Sequence, residues 1–223
     1  MLTPEQIRAN LRSVEKRIAA ACARAERPVE SVTLIAVTKT FPAAAADAAI
    51  AAGVRELGEN RVQEARLKVP HVKGAGRWHL IGHLQSNKAK DAVAMFDVIQ
   101  TVDSLALAEK ISRAATAASK KQEVLLQINI GREEQKSGAQ PEDAARLLET
   151  MRALGSLEVR GLMAIPPIGT ADDAHRHFRA LRELRDRLGL AELSMGMTED
   201  FEIAIEEGST MIRVGRAIFG SRG

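Results

Sequence analysis

Lys39 follows an apolar, β-branched run at residues 33–38, and Arg213 lies in a second such run at residues 211–214. Side chains two apart in a strand share a face, so Lys39 sides with Val37 and Ile35, and Arg213 with Met211. If both faces turn into one enclosure, an amine and a guanidinium meet there. Such a pair is costly unless an anion or a neutralised lysine relieves it. An amine desolvated beside a cation loses basicity and becomes a nucleophile toward carbonyls. A solvated loop lysine is the plain alternative, and spacing alone leaves both open. Near Arg213, the stretches Ser194-Met195-Gly196-Met197-Thr198 and Arg213-Val214-Gly215-Arg216 offer a hydroxyl, two glycines that admit close backbone approach, and a helical start at Arg216. Amide N–H groups at such a start suit a phosphate; ordinary turn chemistry would use the same residues. Glu199 and Asp200 oppose an anion on the preceding helix, so Ser194 and the Gly215 and Arg216 amides are favoured.

The other polar candidates carry less. A further expected strand at Val54–Leu57 runs into Gly58-Glu59-Asn60-Arg61, and His79, His83, Gln127 and Asn129 sit in or just after others. His79 suits a barrel interior and His83 a barrel mouth. A hydrogen-bonded structural histidine is the simpler reading of each. His175 and His177, two apart on a helix, point to different sides and make a poor metal pair. No Cys/His cluster suggests zinc, and no Ser–His–Asp order or Walker-type loop stands out.

The elements that must position these groups follow from periodicity. Thr3, Pro4 and Gln6 spell a capped helix start, and Ile7, Leu11, Val14 and Ile18 mark its apolar face. Thereafter strands are expected at 33–38, 54–57, 78–81, 98–102, 124–130, 159–165, 192–195 and 211–214, each followed by a helical stretch. Ser86, Ser104 and Thr198 read as helix caps, Pro141 as a helix opener, and Gly155, Gly189 and Gly208 as helix stops. Eight alternating βα units imply a parallel sheet, and in one compact domain over 1–223 they imply a single (β/α)8 TIM barrel with an extra N-terminal helix. The units are lean for a fold that typically takes roughly 250 residues. An open doubly wound sheet is the alternative, but its glycine fingerprint is missing after the first strand.

Composition narrows the function classes. The chain is 45% hydrophobic and 27% charged, with a net charge of +3. Aromatic residues do not interleave the basic ones, as a stacking nucleic-acid binder would require. No apolar run has membrane-spanning length, and the N-terminus lacks a signal-peptide core. The single cysteine, Cys22, falls in a helical apolar pattern and forms no intrachain disulfide. A cytoplasmic protein is expected, and polar outer helix faces favour a monomer.

Several segments together resemble one family. Ile35-Ala36-Val37-Thr38-Lys39-Thr40 is similar to its lysine strand, and Glu56-Leu57-Gly58-Glu59-Asn60-Arg61 to its second-strand motif. Trp78-His79-Leu80-Ile81-Gly82-His83-Leu84-Gln85-Ser86-Asn87-Lys88 resembles its most recognisable signature, and the segments 193–201 and 208–220 resemble its C-terminal blocks. These are the pyridoxal phosphate homeostasis proteins, related in fold to the barrel domain of alanine racemase. The resemblance implies that pyridoxal 5′-phosphate (PLP) is the cofactor and that Lys39 forms a Schiff base with it. It implies that Ser194, Gly215 and Arg216 hold the phosphate, that Arg213 faces the pyridine nitrogen, and that Asn60 lies close to the ring. The family often carries Ser at the position of Thr198 and Thr or Ser at that of Arg216.

The resemblance further implies PLP buffering or delivery, with apo-forms of PLP-dependent enzymes as acceptors. A PLP-dependent racemase-like enzyme is the alternative. Arginine at the ring nitrogen disfavours its protonation and weakens the electron sink. Two-base racemisation needs a base on each face of the substrate. The sequence contains no tyrosine for the second base, and the segment ends after the eighth unit, where a racemase continues. The expectation is therefore a PLP-holding protein without evident turnover.

Overall fold

The computed structural model describes residues 2–220. The strands are β1 (Thr33–Val37), β2 (Glu56–Glu59), β3 (Arg77–Leu80), β4 (Val98–Val102), β5 (Gln122–Gln127), β6 (Leu157–Met163), β7 (Glu192–Met197) and β8 (Met211–Val214). All neighbours pair in parallel, and β8 pairs with β1 to close the barrel. The helices are α1 (Pro4–Arg24), α2 (Ala43–Ala51), α3 (Val62–Lys68), α4 (Ala89–Met95), α5 (Leu105–Ala117), α6 (Ala144–Ala153), α7 (Ala171–Arg187), α8 (Phe201–Glu206) and α9 (Arg216–Phe219). The expected eight-unit barrel with a leading helix is what the chain forms.

The β-branched strands bury two faces, as a parallel sheet under helices must. Outward residues such as Ala36, Leu57, Leu80, Ile99 and Leu126 join the helices in one large core. Inward, Ile35, Leu125, Met163 and Met211 form a separate small cluster, and polar His79, Gln100, Ser194 and Arg213 are buried too. At the strands' N-terminal ends, Arg77 pairs with Glu123 at 2.8 Å and Glu56 at 3.8 Å, while Arg160 pairs with Glu158 at 2.9 Å and Glu192 at 3.2 Å. The opposite end is left for the site.

The α1 helix begins with the expected capping box: Thr3 Oγ1 accepts from the Gln6 amide and Gln6 Oε1 from the Thr3 amide. Its buried face includes Ile7, Leu11, Val14 and Ile18, and buried Cys22 extends that face. Arg17 makes twin 2.8 Å bonds to Glu202 and stacks 4.4 Å from the Phe201 ring, and Asn10 Nδ2 donates to the Ile218 carbonyl at 2.9 Å. The leading helix thus braces α8 and α9, the elements beside the last two strand ends.

Local expectations needed correction at several places. The second strand lies at Glu56–Glu59, later than expected, because Gly53 turns the chain at φ 108° and Val54 still bonds back to Ala49. The fifth strand ends at Gln127; Ile128 continues only as a bridge to Ala139. The sixth ends at Met163, before a proline pair. Ser86 opens a short 3-10 turn rather than capping α4, which starts at Ala89. Thr198 does not cap α8: Asp200 takes that position, its Oδ1 accepting from the Met197 amide at 2.7 Å. Ser104 caps α5 as expected.

Candidate functional site

A pocket of about 800 Å³ opens at the C-terminal ends of the strands. Lys39, Asn60, Arg213, Gly215 and Arg216 all line it, together with Thr198, Asp200 and the apolar lip Ile165-Pro166-Pro167-Ile168. Five of the six expected site residues therefore converge. Register explains the meeting: Arg213 is paired with Ile35, so the β8 guanidinium and the lysine turn beyond β1 open on one mouth.

The lysine turn is held from below. The Phe41 amide donates to the Thr38 carbonyl at 3.0 Å, and Thr40 sits at φ 68°. A β-branched residue there is strained and persists only where its surroundings dictate it. The surroundings are a buried knot. Thr38 Oγ1 donates to Glu59 Oε1 at 2.5 Å, and Lys68 Nζ donates to Glu59 Oε1 at 2.5 Å and to the Thr38 carbonyl at 2.6 Å. Burial pushes the Glu59 carboxyl up from its ordinary value, against the pull of Lys68 and Thr38. From above, the Thr40 amide donates to Glu64 at 3.2 Å. Asn60 is placed by Gly82: a Cβ on Gly82 would come within 2.2 Å of the Asn60 carbonyl oxygen, so only glycine lets the β3 end pass the β2 end.

Arg213 is 3% exposed. Burial pushes its guanidinium down to about 10, with Asp200 pulling the other way, so it remains a cation at neutral pH. Its Nη1 donates to Ser194 Oγ at 2.6 Å and its Nη2 to the Ala164 carbonyl at 3.0 Å; it makes no ion pair among the described residues. A buried cation held by neutral acceptors leaves a positive floor under the pocket. Asp200, at the rim, is raised by its own burial.

Ser194 is the sixth expected residue, and it does not line the pocket. It is fully buried, its hydroxyl bound between Arg213 and Gln100 Oε1. Thr198, beyond the end of the same strand, lines the mouth instead, as does Thr170 at the start of α7. The β7–β8 register shifts between Ser194 and Met197, around Gly196 at φ 89°; Ser194 lies buried before the shift and Thr198 lies beyond the strand end at the rim. Gly215 packs against the end of β1, where an added Cβ would lie 3.3 Å from the Val37 carbonyl, and caps the short α9. First-turn amides of a helix have no intrahelical acceptor. The Arg216 side chain is exposed and paired with Glu199 at 2.9 Å.

The remaining candidates lie elsewhere. His79 is a buried barrel-interior residue, as expected. His83 is exposed, outside this pocket, and meets Ser137 at 3.3 Å. His175 binds Glu207. No metal-binding cluster occurs among the described residues. No described helix is long and apolar enough to cross a membrane. The Glu59–Lys68 pair and Gln100 escaped the sequence reading. Gln100 carried a signal: a lone amide in the middle of the strand run Val98-Ile99-Gln100-Thr101-Val102.

The family model for the alanine racemase N-terminal domain matches residues 5–223. The pyridoxal phosphate homeostasis protein of Pseudomonas aeruginosa is 44% identical over 218 residues, covering 96% of this chain and 94% of that protein. The chain belongs to the pyridoxal phosphate homeostasis protein family. Among solved structures, PipY of Synechococcus elongatus PCC7942, solved with PLP bound, superposes with a TM-score of 0.82 at 41% identity, covering 93% of this chain and 100% of that one. A protein of unknown function from Bifidobacterium adolescentis gives a TM-score of 0.92 at 41% identity, covering 97% of this chain and 95% of that one. Membership of the homeostasis family agrees with the motifs at Lys39, Gly58–Arg61 and 193–201 and with the barrel that carries them.

Proposed function

We propose that this chain holds PLP as a Schiff base on Lys39 in the barrel mouth and serves intracellular PLP homeostasis without multiple turnover. The carrying observation is that Lys39 and buried Arg213 open on one pocket beside the Gly215–Arg216 turn. The donor set fits the cofactor's three polar ends: an amine for the aldehyde, a guanidinium for the pyridine nitrogen, and a hydroxyl with helix-start amides for the phosphate. PLP bound in the PipY relative supports the same reading.

PLP supplies an electrophilic aldehyde and a ring that can delocalise electrons. The protein's part is positioning. Lys39 is presented by the Thr38–Glu59–Lys68 knot, and Arg213, a hydrogen-bond donor only, faces the ring nitrogen and keeps a proton off it. Thr198 and the Gly215 and Arg216 amides take the phosphate; Ser194, assigned that role from sequence, acts instead by holding Arg213. Asn60 borders the ring. With the nitrogen unprotonated the ring is a weak electron sink, and none of residues 1–223 is a tyrosine to serve as a second base. Apo-forms of PLP-dependent enzymes are the proposed acceptors, and a cytoplasmic monomer the proposed setting.

The test is PLP uptake by wild type and Lys39→Ala, followed by assays for racemase, transaminase and decarboxylase turnover. Saturable uptake lost in Lys39→Ala, with turnover no faster than free PLP, is expected. Steady multiple turnover on any amino acid would establish the racemase-like alternative instead.

A further inference from the structure

Below the pocket floor a line of hydrogen bonds runs the length of the barrel. Arg213 Nη1 donates to Ser194 Oγ at 2.6 Å, and the Ser194 hydroxyl donates to Gln100 Oε1 at 2.7 Å. Gln100 Nε2 meets His79 Nδ1 at 2.9 Å, and His79 Nε2 meets Glu56 Oε2 at 2.6 Å. Arg213, Ser194, Gln100 and His79 are each at most 3% exposed, whereas the Glu56 side chain, in the charged ring at the far end, is 17% exposed.

Donor capacity gives the line a direction. A guanidinium only donates, so the Ser194 oxygen accepts and its one proton goes to the Gln100 carbonyl. The Gln100 amide then donates to Nδ1, the ring carries its proton on Nε2, and that proton goes to Glu56. Every donor points away from the pocket, and the line ends on a carboxylate. Hydrogen bonds aligned this way polarise one another, the more so in a low-dielectric interior. The buried guanidinium is thereby answered by a carboxylate on the opposite face of the molecule, with no direct contact between them.

We propose that His79 and Gln100 are positioning residues of the cofactor site, fixing Ser194 and through it the orientation of Arg213. As a statement about cofactor it rests on the reading of Arg213 as the ring-nitrogen partner. As a statement about Arg213 it stands on its own.

The experiment uses the full chain labelled with 15N-histidine and 15N-arginine. In the protein without added PLP at pH 7.5, long-range 1H–15N spectra are expected to show His79 neutral with its proton on Nε2. The Arg213 Nε–H signal is expected to shift or broaden in Gln100→Met. An imidazolium or an Nδ1–H tautomer at His79, or an unmoved Arg213 signal, overturns the proposal. PLP titrations then extend it to function. Gln100→Met weakens PLP binding about fivefold, the loss expected for a hydrogen bond between neutral groups. His79→Asn keeps an acceptor near the Nδ1 position and retains most of the affinity; this variant serves if Gln100→Met fails to fold. Equal affinity in wild type and a folded Gln100→Met also overturns the proposal. Failure of wild type to take up PLP sinks the functional reading alone, since the two spectra still decide the line to Arg213.

Discussion

Replacing Lys68 with methionine isolates the knot beneath the lysine turn. Lys68 is 8% exposed and Glu59 fully buried, with 2.5 Å between Nζ and Oε1. Glu59 Oε2 has no hydrogen-bond partner among the described residues, so Oε1 carries nearly all of the carboxylate's compensation. Breaking a buried pair by removing one partner costs about 3–5 kcal/mol. For a chain of this size that is a fall in Tm of roughly 10 °C. The deficit depends on pH with a definite sign. Burial already places the folded-state Glu59 pKa above its ordinary 4.5, and losing Lys68 raises it further. The folded state then binds a proton more readily than the unfolded one, so the variant's deficit is smallest below 4.5 and grows as pH rises through the raised folded value. Urea unfolding of wild type, Lys68→Met and Glu59→Gln/Lys68→Met at pH 5 and pH 8 measures it. The double variant should recover most of the loss, since no buried charge is stranded. A deficit below about 1 kcal/mol, the size of a surface ion pair, or one equal at both pH values, refutes the reasoning.

Three further outcomes follow from the geometry. Thr198→Ala should weaken PLP binding roughly tenfold and leave pyridoxal, which lacks the phosphate, unaffected; Ser194→Ala should weaken both. Fluorescence titration with the two ligands separates these roles. Gly82→Ala should lose several kcal/mol, about the scale of severe backbone clashes, because its Cβ meets the Asn60 carbonyl at 2.2 Å; chemical denaturation reads the loss. Thr170→Ala should loosen the start of α7 and flatten its acid response. The Thr170 backbone amide, then its hydroxyl and Arg176, hold Asp173 down from 3.8 to about 2. That contribution is present above 3.8 and disappears as pH falls through about 2; acid titration followed by circular dichroism distinguishes the variants.

Much of the barrel was legible because apolar strand runs alternate with helical stretches, some of them marked by a cap or stop such as Ser104, Gly155 and Gly189. Where strand limits slipped, at Gly53 and after Gln127, a turn or a bridge prevailed over apolar continuity. Lys39 and Arg213 were legible because strand alternation from Ile35 and Met211 aims both at one mouth. Ser194 was named from its place near the end of β7, and position alone does not tell that its hydroxyl is buried between Arg213 and Gln100. Thr198, first read as a helix cap, lines the pocket rim instead. The Glu59–Lys68 pair was hidden, since both read as ordinary polar residues until β2 and α3 bring Lys68 back under Thr38. Likewise, a line from Arg213 to Glu56 crosses β8, β7, β4, β3 and β2, a route only the closed barrel makes short.

Locating the amine that takes the aldehyde decides whether Lys39 holds the cofactor. Purified protein saturated with PLP is reduced with borohydride, digested, and the labelled peptide sequenced by mass spectrometry. One pyridoxyl-phosphate adduct per chain, on Lys39, is expected. Labelling spread over surface lysines with Lys39 unmodified would contradict it.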